Sequence, residues 1–399
     1  MKGQFFIVAA IIMVIGIVSV VNTLSIPKEV KEVEKSEVGY FLKSIKNTVL
    51  DLYASWPYPR EHRRTIKLTS YGCDPYVVSV KTLVDFPNDV DSGSVIVTRG
   101  YEVLSDQVLW ENLEEKIGYV VFPSYLGCES QELQLYYNLL GESWEEMEPG
   151  PLIYYTNTSQ QIEVRGIGYK VVIDKTQGGA ITLIQMLGEQ DMITKVESLY
   201  RCNGTSYEQY NSNPLIDILY SGPVLLVVRI RGNHGISTRE SFTQYVYFYP
   251  ERVEIREVGS VAETIYCNPS QEHTYGHLVQ LSGSPIYTEN GWIEYNYGEY
   301  GLAILKNDSY FESFDLSTTY AYLNAWDSTT MIGSKEYWLT LYPHPGGSEK
   351  VMDYDSKLRN LAVEVGGEES KDSLMSLYKN TLSDFMGGFG YLVSISRER

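Results

Sequence analysis

The sequence predicts a mainly β protein: an N-terminal transmembrane helix, a small α+β module, and a large antiparallel β-sandwich followed by a C-terminal helix. Three observations carry that prediction. Residues 5–24, FFIVAAIIMVIGIVSVVNTL, contain no charge. From Leu152 onward, short apolar or alternating runs recur between Gly, Pro and Asn turns, as many short strands require. Between these regions both periodicities are mixed. The expected domains are 1–26 (membrane anchor), 27–57 (stalk helix), 58–149 (small α+β domain), 150–368 (β-sandwich) and 369–399 (C-terminal helix and tail).

The anchor comes first. A helix over 5–24 is about 30 Å long, the thickness of a bilayer's hydrocarbon core, and it is apolar all round, unlike a helix with one core-facing stripe. A cleaved secretory signal fits less well, because the run is too long for an h-region and no small-x-small site follows. Lys28, Lys31 and Lys35 after the helix, against Lys2 before it, favour a cytoplasmic C-terminal side by charge alone. Four cysteines, three N-x-[ST] sequons and 34 tyrosines favour the outside. The expected location is therefore the cell membrane, single-pass, with the C-terminal domain extracellular and the bilayer as a partner.

Pro27 ends or kinks the anchor. A stalk helix follows, with Val30, Val33, Phe41, Leu42, Ile45, Val49 and Leu52 on one stripe. In 58–149, residues 65–69, 94–97 and 119–122 read as strands. Ser105 reads as the cap of a helix through Trp110 and Leu113, and Ser130 as the cap of another ending at Gly141 with Leu133, Tyr137 and Leu140 buried. The acidic stretch 142–148 and Pro149-Gly150-Pro151 mark the boundary. In the sandwich, 169–173 and 180–184 flank a 175–179 turn as a hairpin. Residues 223–231 read as a central strand. Strand pairs are expected at 244–249 with 252–256 and at 292–297 with 301–305. A last helix is expected over 370–386, stopped by Gly387-Gly388.

A net charge of −19 argues against nucleic acid and against docking on anionic lipid; it fits a solvated outer surface. Cys73, Cys128, Cys202 and Cys267 lack C-x-x-C spacing, so no zinc site is expected. The economical pairing is Cys73–Cys128 and Cys202–Cys267, each worth about 4 kcal/mol if unstrained; four free thiols are the alternative. The sequons are Asn157, Asn203 and Asn307, whereas Pro269 disqualifies Asn268. No repeat of solenoid or propeller period is present.

Two resemblances follow from particular residues. Met1-Lys2-Gly3-Gln4 before the apolar run resembles the class III, type IV pilin-like signal of archaeal surface proteins, which implies processing between Gly3 and Gln4 and a retained helix. Val8 stands where the family has its usual Glu, at the fifth mature position, a departure from the polymerising pilins that leaves a simple anchor at least as good a reading as a pilin. Residues 169–183, 221–229, 291–294 and 301–303 resemble, in strand rhythm, the galactose-mutarotase-like supersandwich of carbohydrate-active proteins. That resemblance implies a glycan-associated fold and no particular reaction.

No G-x-S-x-G, P-loop or H-E-x-x-H motif is present, and no cofactor or metal is called for. With five histidines in the chain, the densest cluster is Glu272, His273 and His277, two imidazoles and a carboxylate suited to holding a metal or to proton transfer on a sugar; the plainer reading is an exposed polar loop. Arg229 and Arg231 end an apolar strand and suit a two-point grip on a carboxylate, or ion pairs with Glu254 or Glu257. Trp292, Trp326 and Trp338 suit stacking on sugar rings, or a core. Two functions are expected to compete. The first is a structural, adhesive or glycan-binding surface protein, with extracellular glycans or other envelope and pilus proteins as partners. The second is an anchored carbohydrate-active enzyme of mutarotase or lyase type.

Overall fold

Alternating burial marks strands with one covered face, such as Glu240–Phe248, whereas Thr274–Leu281 and Tyr300–Lys306 are buried almost throughout. The computed structural model describes Trp56, Tyr58 and residues 60–371, apart from 71–74, 113–116, 129, 148, 187–190, 235–239, 267–273, 282–284, 290, 307–309 and 328–329. Arg60–Arg399 is one compact unit and Met1–Pro59 another. The anchor, the stalk apart from Trp56, Cys73, Cys267, Glu272, His273, Asn307 and the helix expected over 370–386 therefore fall outside the described residues, apart from the last helix's first two positions. Among the described residues, no helix is long and apolar enough to cross a membrane.

Seven strands open the second unit: β1 (His62–Thr69), β2 (Tyr76–Asp85), β3 (Ile96–Arg99), β4 (Glu102–Leu104), β5 (Gln107–Asn112), β6 (Ile117–Leu126) and β7 (Gln131–Tyr137). Seventeen more follow: β8 (Tyr154–Asn157), β9 (Gln161–Arg165), β10 (Tyr169–Asp174), β11 (Ala180–Met186), β12 (Asp191–Cys202), β13 (Thr205–Glu208), β14 (Leu215–Ser221), β15 (Leu226–Gly232), β16 (Glu240–Phe248), β17 (Val253–Tyr266), β18 (Thr274–Leu281), β19 (Pro285–Glu289), β20 (Trp292–Asn296), β21 (Tyr300–Lys306), β22 (Ser313–Leu316), β23 (Tyr320–Asp327) and β24 (Thr330–Pro345). A helix, α1 (Ser348–Asn360), and two short strands, β25 (Ala362–Val365) and β26 (Glu369–Ser370), close the described chain.

The first core lies among β1–β7 and the closing strands. A sheet in the order β25-β1-β7-β3-β4, with β26 also on β1, accompanies a sheet β2-β6-β5. Ile66, Leu68, Val78, Val80, Phe122 and Leu135 are among its buried residues. The two helices expected here are strands, so this part is β and not α+β. β7 pairs with β1 on one side and β3 on the other, which satisfies its backbone groups through neighbours rather than through its own turns. Leu133, Leu135 and Tyr137 are buried at a period of 2, and Leu140, expected to be buried, is 67% exposed. β5 likewise pairs with β6 around Leu109 and Trp110.

β8–β24 form the large sandwich. One sheet runs β22-β23-β18-β12-β11-β10-β9-β8, with β13 on β12; the other runs β14-β15-β16-β17-β24-β21-β20-β19. Their facing sides share one apolar core that includes Val171, Ile184, Val228, Val246, Ile255 and Leu339. The expected hairpin is β10–β11. In its turn Gly178 and Gly179 have φ of +64° and +74°, a region open chiefly to glycine, and a Cβ on Gly178 would lie 1.9 Å from the Gln209 carbonyl oxygen.

The outer face of the eight-stranded sheet is covered at two places. Trp292, Ala303, Leu305 and Tyr342 join the first core with Val351 and Tyr354 of α1, and Tyr342 and Tyr354 stack at 3.7 Å. Elsewhere Val227 and Tyr249 pack with Leu109 and Val121 of β5 and β6. A buried polar clasp joins the two cores. Glu251 accepts from the Ser79 amide at 2.7 Å, from its hydroxyl at 2.6 Å and from Tyr354 at 3.1 Å, and Arg252 is ion-paired to Glu251 and Glu254.

Candidate functional site

Of the Glu272, His273 and His277 cluster, only His277 is described. It stands in β18 rather than in a loop and is fully buried. Its neighbours come from distant parts of the chain. Glu257 Oε1 accepts from Ser198 Oγ at 2.5 Å and from the Tyr275 hydroxyl at 2.6 Å. Glu257 Oε2 accepts from Gln244 Nε2 at 3.2 Å, and the Tyr337 hydroxyl also hydrogen-bonds this carboxyl group. His277 Nδ1 meets Tyr337 at 2.7 Å and its Nε2 meets Gln244 at 3.0 Å, while His234 Nε2 lies 2.7 Å from Ser198 Oγ. Gly259 permits this packing, since the Tyr275 ring comes within 2.4 Å of where its Cβ would stand. Burial pushes Glu257 up to about 7 and both His234 and His277 down to about 3. The result is a neutral imidazole pair around a carboxyl group ringed by donors, sealed between the sheets. It specifies the core and offers no surface to a sugar.

The accessible chemistry is on the outer face of the eight-stranded sheet. Successive strands place Asp217, Arg229, Tyr245, Arg256 and Trp338 directly opposite one another. Four strand spacings make this row about 19 Å long. Residues of β16 with odd numbers face outward because those with even numbers, Phe242, Gln244, Val246 and Phe248, are buried.

The row is held by charge-assisted bonds. Arg256 donates through Nε and Nη2 to the two oxygens of Glu336, each at 2.9 Å, and Trp338 Nε1 donates to Glu336 at 3.0 Å. This two-point grip holds the Glu336 carboxyl below its usual range and the guanidinium above its own. Trp338 stacks on Tyr247 with ring centres 5.8 Å apart, and the Arg256 guanidinium lies 5.4 Å from the Trp338 ring and 5.6 Å from the Tyr245 ring. Lys81 of β2, 4.1 Å from the Tyr119 ring and 5.7 Å from the Tyr247 ring, walls one end of this half-exposed aromatic surface.

Arg229 and Arg231 thus lie on the platform, paired with Asp217 at 2.7 and 3.5 Å. Glu257 could not serve them, because it points into the core. Trp292, the other expected glycan contact, is only 3% exposed; it packs beneath α1 and presents no ring to solvent. Trp326 packs against the sandwich core, and Trp338 alone of the three tryptophans joins the outward row. Tyr245, Tyr247 and Arg256 were not singled out from the sequence. Their signal is the period-2 alternation itself: Tyr245 and Tyr247 alternate with buried Gln244, Val246 and Phe248, and Glu254 and Arg256 alternate with buried Val253 and Ile255. Asn157 and Asn203 are exposed, and Cys128 and Cys202 are each disulfide-bonded.

No family model matches the chain, and no curated protein matches it. Among solved structures, an alpha-mannosidase from Enterococcus faecalis V583 is similar at 10% identity with a TM-score of 0.50, over 86% of this chain and 50% of that one. A protein in the Glycosyl Hydrolase Family 38 from Enterococcus faecalis gives 10% identity and a TM-score of 0.49, over 85% of this chain and 52% of that one. The chain therefore spans about half the length of each. At this identity the likeness to the alpha-mannosidase is one of fold: this chain's sheets are arranged as part of that enzyme's are.

Proposed function

We propose that this is a carbohydrate-handling surface protein, anchored by residues 5–24, whose extracellular β unit holds glycans on the outer face of its eight-stranded sheet. The observation that carries this reading is the Tyr245, Arg256, Trp338 and Glu336 row, in which aromatic faces sit among fixed donors and acceptors. Sugars present apolar C–H faces and rims of hydroxyls, and such a row complements both. The fold shared with an alpha-mannosidase supports an association with carbohydrate.

That same likeness favours a second reading, a carbohydrate-active enzyme. The two readings are separable with the full chain purified in detergent. On a glycan array, Trp338→Ala and Tyr245→Ala are each expected to weaken retention of the wild type's ligands by about tenfold, equivalent to about 1.4 kcal/mol, with the melting temperature nearly unchanged. Full retention by both variants would overturn the platform. Turnover of mannosides or of the bound glycans by the wild type would establish the enzymatic reading.

A further inference from the structure

Arg229 and Arg231 both direct a guanidinium nitrogen to the same oxygen, Asp217 Oδ2, at 2.7 and 3.5 Å. Two fixed cations therefore share one carboxylate, a local excess of positive charge in a chain of net charge −19. Their attraction holds the Asp217 carboxyl below its usual range, with Arg229 as the main cause, so the carboxylate is charged at neutral pH. The corner is open: the Arg231 side chain is 44% exposed and that of Asp217 43%. β14, which carries Asp217, is the edge strand of its sheet. Directly across from Arg229 stands Tyr245, the first aromatic ring of the platform.

We propose that Asp217, Arg229, Arg231 and Tyr245 form a subsite for a uronic acid, a sugar carrying a ring carboxylate, at one end of the glycan platform. The proposal rests on the platform reading and narrows it to a class of ligand. A guanidinium's planar fork matches a carboxylate in geometry and charge. Arg231, whose ion pair with Asp217 is long at 3.5 Å, has five N–H donors to offer it. Tyr245 then lies beside the same sugar, and the rest of the row continues toward Trp338 for the neighbouring units. Asp217 sets the spacing of the two arginines and competes with the ligand for them.

The test uses the full chain, purified in detergent, with oligogalacturonate, oligomannuronate and oligoglucuronate, each beside its carboxyl-reduced counterpart. At least one acidic oligomer is expected to bind about tenfold or more tightly than its reduced form, with affinity falling as salt rises. Arg231→Gln should abolish that preference, and Asp217→Asn should strengthen acidic binding severalfold by releasing both guanidiniums. Equal binding of acidic and reduced oligomers would overturn the uronate subsite while leaving the platform standing, as would an unchanged preference in Arg231→Gln. Absence of binding to every acidic, reduced and array glycan would instead remove the platform reading and this subsite with it.

Discussion

Glu257 shows how burial decides the chemistry of a single residue. Its carboxyl group titrates at about 7 in the folded protein, against 4.5 for an ordinary glutamate, with desolvation the largest cause. Between those values the folded state holds a proton that the unfolded chain has released. Its contribution to stability is therefore full below about pH 4.5 and is lost as pH rises through 7. His234 and His277 have the opposite sign: folded near 3 and unfolded near 6.5, they lose stability as pH falls below about 6.5. Glu257→Gln isolates the first effect. Denaturant unfolding at pH 5 and pH 8 is expected to show the wild type losing stability relative to the variant at the higher pH; a constant difference between the two would show that Glu257 does not titrate there.

At the scale of elements, β7 tests whether period 2 or a helical stripe describes 130–141. Both readings bury Leu133 and Tyr137, yet only the strand also buries Leu135 and exposes Leu140. Leu135→Ala should cost about 2–5 kcal/mol, as for a large residue truncated in a packed core. Leu140→Ala should stay within about 0.5 kcal/mol. Comparable losses at both positions, measured by chemical denaturation, would restore the helix. Apolar spacing was ambiguous here because Leu133 and Tyr137 are four apart, a separation compatible with one helix face and with one side of a strand. Partners on both sides, β1 and β3, resolved the ambiguity through backbone hydrogen bonding.

For the whole molecule, the Ser79–Glu251–Tyr354 clasp ties both cores into one unit, and the proposed location makes that unit an ectodomain. Protease added to intact cells is then expected to degrade the chain from Gln161 onward while a cytoplasmic marker survives. Non-reducing peptide mapping of the same material is expected to link Cys73 with Cys128 and Cys202 with Cys267. Protection until the cells are lysed would place the unit inside, and a Cys128–Cys202 link would refute the pairing.

The sequence by itself determined the β character of the large sandwich and several of its strand pairs. Hairpin 169–184, strands 244–256 and strands 292–305 were legible because alternation and turn residues are local properties. It also singled out Arg229 and Arg231, whose charges end an otherwise apolar strand. Only the tertiary structure decided what those residues meet. Ser198, His234 and Glu257 are scattered in the chain, so no spacing could disclose their contact. Asp217 reaches Arg229 only through the register of β14 on β15, and Trp292 parts from Trp338 because Trp292 is buried in the cluster that α1 joins, whereas Trp338 stays half-buried in the outward row. Local pattern specifies which side of a strand is apolar; which side is covered, and by what, depends on contacts between strands far apart in the chain.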